Sequence, residues 1–154
     1  MNALTLTAFP FISGPAKQRI INGIRYICLF LFVYTAYAKI IDHDRFLHGL
    51  TKVHLVSRNA GLIAVLVPVI EVAVSALLIV PKTLKAGLWT FIVTMAAFTI
   101  YIIGAMVWEP RLPCHCGGAI EKLSWSQHIW FNLAFILLAS MALRLSGSIK
   151  QFKN

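Results

Sequence analysis

Cys114, His115 and Cys116 stand in a row within "RLPCHCGGAIEKLSWSQHIW", with Pro113 before them and Gly117 and Gly118 after them. Three chemistries are open to such a cluster. A C-x-C pair can close a small disulfide ring. With one intervening residue that bond is strained, so it is reduced more readily than a structural bridge and suits thiol exchange. The two glycines supply the backbone freedom so tight a turn requires. Metal ligation is the second chemistry, but adjacent side chains diverge, and structural zinc sites use four ligands spaced two to four residues apart. Completing a set would draw on His128 or on His43, His48 and His54. The third alternative is a pair of thiols with no role beyond the turn. Cys28 is excluded as a partner: it lies about 20 Å along a helix from Ile41, whereas disulfide-bonded Cα atoms lie within about 7 Å. It reads as a small apolar filler.

His128 is the group best placed to act on a thiol. Ser124, His128 and Asn132 recur every fourth residue, flanked by Gln127, which places the three within an arc of about 80° on one helical face. His128 would favour a thiolate or shuttle a proton. A polar stripe of this kind also serves plain interhelical hydrogen bonding. Glu71 is the other candidate. It lies eleven residues into an apolar run, about 16 Å deep on a helix, where a carboxylate costs roughly 2.5–3.5 kcal/mol to insert. It must face the bundle interior, find a partner or carry a proton. Pro68, three residues earlier, removes a backbone donor at nearly the same level. Glu71 reads as a proton-handling or ligand-binding group, or as a hydrogen-bonded glue residue. Asn132, at a similar depth, is a natural partner.

The elements that must position these residues are membrane spans. Of the 154 residues 59 % are apolar and 12 % charged, against about 45–50 % and about 25 % in soluble domains. Four runs, near residues 20–41, 60–80, 84–108 and 124–145, carry most of the apolar residues. Each has the roughly 20 residues a helix needs to cross a bilayer, and none alternates like a barrel strand. The expected fold is all-α, a four-helix transmembrane bundle over 19–146. An interfacial segment (1–18) precedes it and a short basic tail (147–154) follows. The N-terminus lacks the pattern of a cleavable signal, because no basic residue precedes its weakly apolar stretch and Pro10 and Pro15 interrupt it.

The net charge of +9 argues for lipid headgroups and topology rather than nucleic acid, since the cations fall between apolar runs instead of forming a stripe. Eight of the fourteen Lys and Arg residues lie on the side of the two termini, which favours cytoplasmic termini in a bacterial inner membrane and a periplasmic Cys114–Cys116 segment. Arg25 reads as a cytoplasmic anchor. Tyr34, Thr35, Tyr37 and Lys39 read as interfacial anchors at the other end of the first span, and Trp108, Trp125 and Trp130 suit the same belt.

A first span ending "YAKIIDHDRFLHGLTK", then "LVPVIEVAVSALLIV", then a Cys-Gly segment before the last span, resembles the MauE/DoxX-like family of redox-associated membrane proteins. The likeness is carried by Lys39, Asp42 and Phe46, by Pro68-x-x-Glu71, and by Cys114-x-Cys116 with its glycines. It implies an inner-membrane protein associated with periplasmic disulfide handling, since MauE is linked to maturation of the disulfide-rich small subunit of methylamine dehydrogenase. Its layout is similar to quinone-coupled thiol oxidases, which implies a quinone as the suitable cofactor, although no second external cysteine pair is present. On this reading the chain is a thiol–disulfide oxidoreductase or an accessory factor. A thioredoxin-like or disulfide-containing periplasmic protein is its partner, and Cys114, Cys116 and His128 are at work. Glu71, Asn132 and Gln127 line the interior. The alternatives are a membrane scaffold or assembly subunit, and a small carrier built on Glu71, which with four helices would require a homo-oligomer.

Overall fold

The computed structural model describes residues 14–108 and 124–151. All regular structure among them is helical: α1 (Gly14–Ile41), α2 (His43–Thr51), α3 (His54–Ser57), α4 (Ala60–Ile79), α5 (Leu84–Trp108) and α6 (Trp125–Gln151), with a 3-10 turn at Pro81–Thr83. Four of the helices, α1, α4, α5 and α6, are long and apolar enough to cross a membrane.

These four run alternately up and down, and each packs on its neighbours in the order α1, α4, α5, α6 and back to α1. α4 and α6 therefore stand diagonally across the bundle. The short helices α2 and α3 lie over one end, hereafter the cap end, between the last turn of α1 and the first of α4. The ends of α5 and α6 joined by residues 109–124 are at the cap end as well.

Lipid inverts the usual surface. Phe30, Leu62, Ile100, Trp108, Trp130 and Leu137 are among the large apolar side chains that face outward. The interior is narrow and built on small residues: Ala36, Ala64, Ala105, Ala139 and Ala142 are all buried. Without a hydrophobic drive between helices, close backbone approach supplies the packing energy. Phe32 and Phe91 fill the middle, their ring centroids 4.4 Å apart. In α4 the buried positions are Ala60, Ala64, Pro68, Glu71, Val74, Ser75 and Leu78, a stripe at helical spacing that aims Glu71 inward.

α1 begins at Gly14, earlier than the expected Ile20. Pro15 falls in its first turn, where a missing N–H costs nothing, and Gln18 bonds Asn22 one turn on. α6 likewise runs on to Gln151. Buried and lipid-facing hydroxyls return to their own helix, with Ser75 donating to the Glu71 carbonyl and Thr99 to that of Met95.

The tightest approach is at Gly87, where a Cβ would stand 3.0 Å from backbone atoms of Leu77 and Leu78 in α4. Gly87→Val should therefore lower stability by about 1–3 kcal/mol through overpacking. Gly23→Ala, with nothing within 4 Å, should raise it by up to about 1 kcal/mol through helix propensity. Thermal unfolding of the two variants in lipid nanodiscs checks the contrast.

Candidate functional site

The polar centre of the bundle is on the α1–α4 face. Lys39 and Thr35, one turn apart on α1, point at Glu71 on the antiparallel α4. Lys39 Nζ lies 2.8 Å from Glu71 Oε1, and the Thr35 hydroxyl donates to the same oxygen at 3.1 Å. Glu71 is 1 % exposed. Lys39 also donates to the Thr35 carbonyl at 3.4 Å.

Two aromatic rings flank the ammonium. Its Nζ lies 5.8 Å from the ring centroid of Phe46 on α2 and 5.9 Å from that of Phe98 on α5, within the range of cation–π attraction. Glu71 Oε2 is buried with no hydrogen-bond partner among the described residues. The site is thus a neutralised carboxylate–ammonium pair under an aromatic cover, with one acceptor oxygen unused. It can accept a hydrogen bond or take a proton at that atom.

This placement corrects two expectations. Glu71 does not turn to α6, because α6 is diagonal to α4 and α1 is its neighbour. Lys39 and Thr35 are not interfacial anchors. A buried carboxylate has no water to solvate it, and the nearest cation on the adjoining helix bends one turn inward to meet it. The pattern Thr35-x-x-x-Lys39 facing Pro68-x-x-Glu71 was the available signal.

Arg25 is corrected in the same way. It is buried and donates through Nε to the Leu78 carbonyl and through a terminal nitrogen to that of Ile79. Those carbonyls end α4 and have no partner within the helix. Thr83 satisfies a third, that of Leu77, at 2.8 Å. Arg25 is a helix cap across the bundle rather than a headgroup anchor.

The α6 residues divide. Asn132 is buried at 7 % exposure, and His128 is half-buried one turn into the helix. Gln127 is exposed and belongs to a capping box: its side-chain oxygen accepts from the Ser124 N–H at 2.8 Å, and its own N–H donates to the Ser124 hydroxyl at 3.3 Å. The S-x-x-Q spelling announces such a box, so Gln127 starts the helix instead of lining the interior. Cys114 and Cys116 lie outside the described residues. Cys28 is buried in the central cluster among Ile24, Leu31 and Phe32.

Comparison with curated proteins and with solved structures finds no match. A protein family described as methylamine utilisation protein MauE matches residues 17–145, an interval that takes in nearly all of the four spans, the Lys39–Glu71 pair and the Cys114–Cys116 segment. The chain belongs to the MauE family.

Proposed function

We propose that this MauE-family membrane protein supports thiol–disulfide chemistry at the cap end of its bundle, with Cys114 and Cys116 as the exchanging pair and a disulfide-containing or thioredoxin-like protein as partner. The observation that carries the reading is topological. α5 ends at Trp108 and α6 begins at Trp125, so the segment with the C-x-C pair leaves and re-enters the bundle at the cap end. The eight-to-six distribution of Lys and Arg supports placing that end in the periplasm and the chain's termini in the cytoplasm.

In this reading a partner thiolate attacks the Cys114–Cys116 disulfide, forms a mixed disulfide and releases one cysteine as thiolate. The partner's second thiolate then resolves the mixed disulfide, leaving the partner oxidised and the C-x-C pair as a dithiol. Reoxidation passes two electrons and two protons to an acceptor, for which a lipid-soluble quinone is the suited class. His128, one helical turn from the start of α6, is the group assigned to proton transfer.

The test is alkylation with a mass-tagging thiol reagent in intact cells. Under oxidant the pair should lose two tags together and regain them under reductant, and Cys114→Ser or Cys116→Ser should abolish function. Thiols that stay reduced under every oxidant, in a protein whose serine variants still work, would end this reading.

A further inference from the structure

α2 has the build of a lid. Phe46, Gly49 and Leu50 face inward, while Asp44, Arg45 and His48 are exposed. The inward side rests on Ala60 and Ala64, in the first two turns of α4, with Tyr101 of α5 packed alongside. Ile63 and Val67 of α4 also pack against it, but a single helix of nine residues has less apolar area to hold it than a membrane span. α3 adds the approach of Leu55, whose Cδ1 lies 3.2 Å from where a Cβ on Gly104 would stand.

The strongest group beneath the lid is the Lys39 ammonium. It draws together four elements: its own helix α1, Glu71 of α4, and the rings of Phe46 on α2 and Phe98 on α5. Lys39 also has somewhere else to go. It stands two residues before the end of α1, where a lysine stem ordinarily extends to the headgroups. Inward and outward placements of one cation are discrete alternatives, as a two-state element requires.

We propose that the Lys39–Glu71 pair is a latch holding the α2–α3 cap shut over the polar interior of the bundle. With Lys39 inward, its charge neutralises Glu71 and attracts the Phe46 ring, so the cap is seated. With Lys39 outward, Phe46 loses the cation, and the cap lifts on the short joints at Asp42 and at Arg58–Asn59. Glu71 is then open to the cap side. Its Oε2, without a partner among the described residues, is the atom the opening presents. The latch does not depend on the thiol reading and stands or falls separately from it.

Hydrogen exchange of the full chain in lipid nanodiscs tests it, comparing amides of residues 43–58 with those of 88–100 and 131–142. In Glu71→Gln the cap amides should exchange about tenfold faster or more, as a locally opening unit does, while the two core stretches keep their protection. Phe46→Leu keeps apolar bulk and removes the ring, and should loosen the cap in the same selective way. Lys39→Met with Glu71→Met should also leave the cap loose, because Phe46 has no cation to hold it. The proposal is overturned if cap exchange in these variants equals that of the unaltered protein. It is equally overturned if protection falls to the same extent in the core stretches, since the pair would then hold the bundle and not the cap.

Discussion

Lys39→Met is expected to destabilise the protein by about 3–5 kcal/mol, the cost of leaving a buried charge without its partner. Glu71 is 1 % exposed, and among the described residues its Oε1 is met by two side chains, Lys39 and Thr35. Methionine preserves most of the stem volume, so the loss reports the charge and not a cavity. The remaining carboxylate must take a proton or admit water, and either remedy disturbs the packing around Phe46 and Phe98.

The double replacement Lys39→Met with Glu71→Met separates coupling from packing. A buried ion pair exchanged for apolar residues of similar volume is often neutral or stabilising, and the cost of holding charges inside a membrane span points the same way. The double variant should therefore recover most of what Lys39→Met loses, a coupling energy on the order of several kcal/mol in a double-mutant cycle. Equilibrium unfolding in nanodiscs measures it. Additive losses would mean that the two side chains do not act on one another. Recovered stability with a cap that still exchanges rapidly is the joint signature of the pair and the latch. It would indicate a charge retained for what it controls rather than for what it stabilises.

The spans were legible because a bilayer leaves little choice. Every backbone group must be bonded within its own element, so runs such as Ala60–Val80 and Leu84–Trp108 admit one structure. Glu71 was legible for the same reason, as the costliest residue in the chain to insert. Its partner was not. Depth along a helix can be counted from sequence, which put Asn132 near the level of Glu71, but neighbour relations around a bundle depend on how four helices close. The order α1, α4, α5, α6 leaves α4 and α6 diagonal, and no count along the chain reveals that. Lys39 and Arg25 both depart from the rule that a cation near the end of a span snorkels outward. Each instead meets a specific negative group on α4, Lys39 a carboxylate and Arg25 two terminal carbonyls. Gln127 is the opposite case: its capping signature is local and readable in Ser124-x-x-Gln127, yet the Ser124, His128 and Asn132 stripe beside it masks the box.

Arg25→Met is expected to cost on the order of 3 kcal/mol, since each hydrogen bond from a charged donor contributes about 1.5–3 kcal/mol. The last carbonyls of α4 have no helical partner, and the guanidinium that bonds them is itself buried. The guanidinium satisfies those of Leu78 and Ile79 together, and its positive charge opposes the negative end of the helix dipole, a contribution of up to about 2 kcal/mol where partly buried. Arg25→Lys discriminates between the two roles a cation could have here. For a headgroup anchor, lysine is an equal substitute, and stability should not change. For a cap that spans two successive carbonyls, a single ammonium cannot reproduce the planar fork, so lysine should restore only part of the loss seen with methionine. The effect should also spread to Gly87, whose close approach to Leu77 and Leu78 depends on the last turn of α4 holding its shape. Arg25→Met combined with Gly87→Val should therefore cost less than the sum of the two, because the turn that Gly87→Val collides with is already released. Additivity within about 0.5 kcal/mol would instead indicate that cap and contact are independent.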